Sequence, residues 1–106
     1  MDALLKIDRV DERLRLTLQD DVSHRNAARL HEALRDAFAQ DARDICVDLA
    51  GHRIDAAAAA TLLDGAQWAQ RGGGRFHLAH VSPEARALLR LYRLEDMFDI
   101  DAGEAA

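Results

Sequence analysis

Hydrophobic positions along this chain switch between a period of two and a period near 3.6, and each switch marks an element. The stretch Ala3 to Asp8 is predicted as a first strand, followed by a turn through Arg9 to Glu12. Leu14, Leu16 and Leu18 then alternate with Arg13, Arg15 and Thr17, which predicts a strand with one wet face. The two strands are expected to form a hairpin-like pair. Gln19 to Ser23 reads as loop, with Ser23 a helix N-cap. The period then lengthens: Ala27, Leu30, Leu34, Ala37 and Phe38 share one helical face, and Arg25, Arg29, Glu32, Arg35 and Asp36 share the other.

The segment from Asp44 to Trp68 organises the remainder. Ile45, Cys46, Val47 and Leu49 form a short apolar run, the pattern of a strand buried on both faces, and Gly51 ends it. Asp55 precedes an alanine run and is placed to cap a helix. Winding that helix at about 100° per residue gathers Ala59, Leu62, Leu63, Ala66 and Ala69 on one side. Ala57, Thr61, Asp64 and Trp68 fall on the other, which is expected to face outward; the chain's one tryptophan there reads either as a protein-contact anchor or as a ring lying against the Arg71 stem or the edge of the sheet.

Arg71 to Gly74 stops the helix. It is not a phosphate loop, because such a loop follows a strand and opens a helix, whereas this one precedes the strand Arg75 to His80. Ser82 caps a last helix with Pro83 at its first position and Ala85, Leu88, Leu89 and Tyr92 as its core face. Leu94, Met97, Phe98 and Ile100 close the domain, with a short last strand near Phe98. The order β-β-α-β-α-β-α predicts an α/β fold, a small mixed β-sheet with packed helices, as one domain over residues 1–100 with a polar tail over 101–106.

Composition narrows the function classes. A chain of 106 residues with 49% hydrophobic residues buries one core. A net charge of −5 argues against a nucleic-acid binder, whose affinity comes largely from Lys and Arg neutralising phosphates. The lone cysteine, Cys46, lies in the apolar strand and fits a reducing compartment. The longest apolar run falls far short of the roughly 20 residues that span a bilayer, so no membrane insertion and a cytoplasmic location are expected.

No catalytic constellation emerges. His24 and His31 are seven apart on one helix without a third ligand, and His77 and His80, three apart on a strand, should point to opposite faces. Asp55 reads as a cap and Asp48 as a strand-end residue. Ser23 and Ser82 are cap-like, outside any nucleophile elbow. Arg86, Arg90 and Arg93 form a basic stripe, expected to meet nearby acids such as Glu95 and Asp96. Neither an enzyme, a cofactor nor a metal site is expected.

Five short segments in order carry a family resemblance: Val47-Asp48-Leu49, Ile54-Asp55 with the alanines Ala56 to Ala60, Gly73-Gly74, Val81-Ser82-Pro83, and Leu94 to Phe98. Together they resemble the STAS domain of anti-sigma-factor antagonists. The resemblance implies a regulatory protein-binding module without catalysis. Ala57 stands where regulated antagonists carry a phosphorylated serine, Ala56 replaces the neighbouring serine, Ala58 a glycine, and Arg93 the glycine before Leu94. With Ala57 in place the phosphoswitch is absent, and Thr61 is the nearest hydroxyl.

By that resemblance, partner contacts are expected at Ser23, Asp55, Ala56, Ala57, Ala58, Thr61, Asp64 and Trp68. The implied partner is an anti-sigma factor or regulatory kinase-like protein. Within the same fold the alternatives are the ATPase of a lipid-transport ABC transporter, for which the chain would be an accessory subunit, or a small molecule or nucleotide bound at the basic stripe. A homodimer through the Trp68 face is a further option.

Overall fold

The computed structural model describes residues 4–40 and 42–100. Its elements are β1 (Leu5–Val10), β2 (Arg13–Leu18), α1 (Ala27–Ala39), β3 (Asp44–Asp48), α2 (Ala56–Arg71), β4 (Arg75–Ala79), α3 (Pro83–Leu91), a 3₁₀ turn (Glu95–Met97) and β5 (Asp99–Ile100). This is the α/β order that the sequence predicts. Ala3 and the tail from Asp101 lie outside the described residues. β1 runs two residues past its predicted end, because Asp11, at φ 58°, lets a turn of Asp11 and Glu12 suffice.

The five strands lie in sequence order. β1 and β2 are antiparallel, and β2, β3, β4 and β5 are parallel. Each parallel crossover steps in the same direction, so the right-handed rule carries all three helices to one face. Burial agrees. The row Leu16, Val47 and Leu78 is completely buried and joins Leu30, Leu34, Leu62 and Leu89 from the helices in one core. The alternate row Asp8, Arg15, Cys46, His77 and Asp99 occupies the other face. Cys46 is buried there too, although no helix among the described residues covers that face, and Arg15 Nη1 lies 4.0 Å from its Sγ.

The caps of α2 and α3 are where the sequence puts them, but Ser23 is not the cap of α1, whose N-cap is Asn26 with no side-chain capping bond. Asp55 accepts a hydrogen bond from Ala58 N at 3.0 Å, and Ser82 accepts one from Ala85 N at 3.1 Å. Ser23 works one turn ahead of regular α1: its Oγ accepts from Arg25 N at 3.2 Å, while Ser23 N donates to Asn26 Oδ1 at 2.8 Å. Beyond α2, Gly74 is required because a Cβ there would lie 1.9 Å from Arg43 O.

The orientation of α2 corrects the sequence reading. Thr61, Asp64 and Trp68 turn inward or toward α1, while Ala57, in the first turn, stays partly exposed. Thr61 is only 7% exposed, and its hydroxyl donates to Ala57 O at 3.0 Å. Asp64 meets His31 at 3.7 Å. Trp68 is half-buried, edge-on to His31 and Phe38 with ring centroids 5.2 and 6.0 Å away. The reason is that α2 packs against both the sheet and α1, so its buried arc is wider than a single-stripe reading allows. Gly65 permits the close approach: a Cβ there would lie 2.8 Å from Phe76 Cε1 and 3.1 Å from Leu34 Cδ1. Tyr92, expected in the core, is half-exposed, because α3 ends at Leu91 and the helical period no longer directs it inward.

Candidate functional site

Two loops at one end of the sheet are stitched into a single rim. Val22 and Ile54 form an isolated parallel bridge. Val22 N donates to Arg53 O at 3.0 Å, and Asp55 N donates to Val22 O at 3.3 Å. The Asp21 carboxylate accepts from Arg53 N at 2.9 Å and lies 3.3 Å from His52 Nδ1. Asp55 bridges the same gap: one oxygen caps α2 and the other accepts from His24 N at 2.8 Å.

These hydrogen bonds fix the charge state of the rim. The Arg53 N–H holds the Asp21 carboxyl below its ordinary range; desolvation opposes it, and the His52 ring and the charges of His52 and Arg53 add to the lowering. Burial pushes Asp55 up, but the N–H groups of Ala58 and His24 together outweigh it and hold the carboxyl low. Both groups are ionised at neutral pH, and both are engaged in holding the loops.

The rim brings Ser23, Asp55, Ala56 and Ala57 to one end of the molecule. Ala56 is exposed and Ala57 partly so. Ala58 is completely buried and has no surface with which to touch a partner, which corrects its place among the expected contacts. Thr61 is removed for the same reason, while Asp64 and Trp68 belong to the α1–α2 seam. Ala60, exposed one turn beyond Ala56, extends the small neutral surface. The i, i+4 spacing of these alanines is a signal for it that the sequence reading passed over.

A second cluster lies behind the rim and has no local signature. Asp48 ends β3, is 7% exposed, and binds the Arg15 guanidinium through Oδ2. Its Oδ1 accepts from Ala50 N at 2.8 Å and from His80 Nδ1 at 2.9 Å. His80 follows β4 in a left-handed conformation at φ 51°, and that turn returns its ring to Asp48, so strand alternation does not govern where it points. Burial pushes the Asp48 carboxyl up, and the hydrogen bonds from Arg15, Ala50 and His80 more than offset this. The residues joined are 32 and 33 apart in the chain, so no spacing rule could have found them.

Several other candidates have partners of their own. Arg86 and Arg90 both reach Glu95 Oε2 at 3.3 Å, the pairing expected of that stripe. His24 faces Asp55 and His31 faces Asp64. Among the described residues no group of three or more His, Cys, Asp or Glu side chains could hold a metal ion.

The STAS_2 family, described as Mlab, STAS domain, matches residues 5–99. The chain belongs to the STAS family. Solved STAS structures share its fold at low sequence identity. A candidate anti-sigma factor antagonist of Thermotoga maritima is 19% identical, with a TM-score of 0.86 over 95% of this chain and 90% of the other. A STAS domain protein from Planctomyces limnophilus is 13% identical, with a TM-score of 0.80 over 91% and 87%. The Bacillus cell fate determinant SpoIIAA, in its phosphorylated form, is 17% identical, with a TM-score of 0.72 over 95% and 94%. No curated protein matches the sequence. No helix among the described residues is long and apolar enough to cross a membrane.

Proposed function

We propose that this STAS domain is a non-catalytic regulatory module that captures an anti-sigma factor or a regulatory kinase-like protein through the rim at the start of α2. The observation that carries this reading is the neutral, small-residue surface of Ala56, Ala57 and Ala60, mounted beside an ionised cap at Asp55. A phosphate at this position in a relative would add about −1.5 to −2 charge, whereas Ala57 keeps the surface uncharged and binding constitutive. The second reading, an accessory subunit on the ATPase of a lipid-transport ABC transporter, uses the same surface and rests on the resemblance to stand-alone STAS proteins. A nucleotide at the basic stripe is disfavoured, because Arg86 and Arg90 are paired with Glu95.

The test is affinity capture from the source cell's lysate with the wild-type chain and Ala57→Arg, followed by mass spectrometry. The expected result is a kinase-like or sigma-associated protein recovered by the wild type and lost with the variant. A transporter ATPase lost in the same way establishes the second reading, and partner recovery indifferent to Ala57→Arg overturns the rim as the docking surface.

A further inference from the structure

Among the described residues β1 is the edge of the sheet, paired only with β2, and its sequence is complementary to itself. In the β1–β2 ladder Gln19 N donates to Leu4 O at 2.7 Å, so Leu4 and Gln19 form a hydrogen-bonded pair in register with Leu5↔Leu18. In an antiparallel ladder, hydrogen-bonded and non-hydrogen-bonded pairs alternate. Lys6, Asp8 and Val10 therefore direct their backbone groups to β2. Leu5, Ile7 and Arg9 direct theirs away from it, toward the open edge.

A second copy adding antiparallel across that edge must pair residues from the outward set, which restricts the register. Centring the two-fold axis on Lys6 would set Lys6 against Lys6, and centring it on Asp8 would set Asp8 against Asp8. Centring it on Ile7 places Lys6 opposite Asp8 of the second copy, twice over, with Ile7 against Ile7 and Leu5 against Arg9. Opposite charges directly across a ladder attract and like charges repel. Lys6, Ile7 and Asp8 are all exposed, and Ile7 is 55% so. Charges on an edge strand ordinarily discourage pairing, yet here their order invites one partner in one register.

We infer that the chain forms a symmetric dimer through β1, centred on Ile7 and held in register by reciprocal Lys6–Asp8 pairs, giving a continuous ten-stranded sheet across two copies. The contact is isologous and closes on itself, so it stops at two. Beside Ile7 a surface groove of about 320 Å³, lined by Arg29, Glu32 and Asp36 of α1, leaves room for the partner's Ile7 on the helical side. The dimer leaves the α2 rim free, so it is independent of the function proposed above.

Sedimentation equilibrium on the full chain tests this with a charge exchange. The wild type is expected to reach twice the monomer mass with rising concentration. Lys6→Asp and Asp8→Lys should each dimerise at least about tenfold more weakly. An equimolar mixture of the two single variants should associate as a heterodimer, and the Lys6→Asp, Asp8→Lys double variant should recover the homodimer. Since both rescues contain Lys at position 8, where it faces Arg15 across β2, a folding defect cannot produce them. A wild type that stays monomeric at millimolar concentration, or a mixture that associates no better than its components, overturns the proposal.

Discussion

Asp48 and His80 stand at the ends of adjacent parallel strands, and the carboxylate oxygen of one lies 2.9 Å from the ring Nδ1 of the other. A carboxylate only accepts, so the imidazole carries its proton on Nδ1. The same oxygen accepts from Ala50 N at 2.8 Å, and Ala50, like His80, is left-handed, with φ 50°. One side chain thus holds two strand ends in a conformation that costs an L-residue about 1–2 kcal/mol. Asp48→Ala is expected to lower stability by about 1–3 kcal/mol in urea unfolding, because it also removes the carboxylate that pairs with the part-buried Arg15. A change below about 0.5 kcal/mol would show the clamp to be idle.

Acid should undo this clamp and the rim together. Asp21, Asp48 and Asp55 all sit below their ordinary value of 3.8 in the folded chain. A carboxyl held low binds fewer protons folded than unfolded, so its stabilisation is full above the ordinary value and is lost as pH falls through it and below. Melting temperature should therefore drop steeply below about pH 4. The Asp48→Asn variant, less stable at neutral pH, should approach the wild type in acid. Parallel curves for the two proteins would contradict the assignment of Asp48 as a contributor.

Arg93 occupies φ 58°, a left-handed conformation that glycine adopts without strain. Glycine there removes a left-handed penalty of about 1–2 kcal/mol and returns part of it as unfolded-state entropy, about 0.4–1 kcal/mol. The Arg93→Gly variant should be more stable by about 0.5–1 kcal/mol, readable as a higher urea midpoint at unchanged slope. A lower midpoint would mean that the arginine side chain contributes more than its backbone costs.

Trp68→Ala should destabilise the fold by about 2 kcal/mol, since the ring packs edge-on against His31 and Phe38 in the α1–α2 seam. Measured by denaturant unfolding, unchanged stability would return Trp68 to the role of a surface anchor. Partner loss with this variant alone would carry no information about docking.

Gly65→Ala should also lower stability, by about 1 kcal/mol or more. The gain in helix propensity, near 1 kcal/mol, is outweighed by overpacking against the buried Phe76 ring at 2.8 Å. A more stable variant would show that the ring can yield.

The strands and caps were legible because their signals are local. Alternating leucines mark β2, and Asp55 and Ser82 sit where a first helical turn offers bare N–H groups. The rotation of α2 was not legible. In its first turn alanine serves equally as the exposed Ala56 and the buried Ala58, so periodicity had little contrast with which to orient the helix. The second neighbour, α1, then buried positions that a helix lying on a sheet alone would expose. The Arg15–Asp48–His80 cluster escaped for a different reason: parallel register, not sequence separation, places those groups side by side.

Strand order that repeats chain order has a consequence for assembly. β2 pairs with β1, β3 with β2, β4 with β3 and β5 with β4, so every new strand adds to an edge made by the one before it. No strand waits for a later one to be inserted between it and its neighbour. A chain emerging from the ribosome can therefore lay its sheet down outward from the N-terminal hairpin, each crossover helix covering the strand just added. Long-range pairing slows folding through the loop it must close, and here each crossover after the hairpin spans one α-helix with its connecting turns, the last adding the 3₁₀ turn.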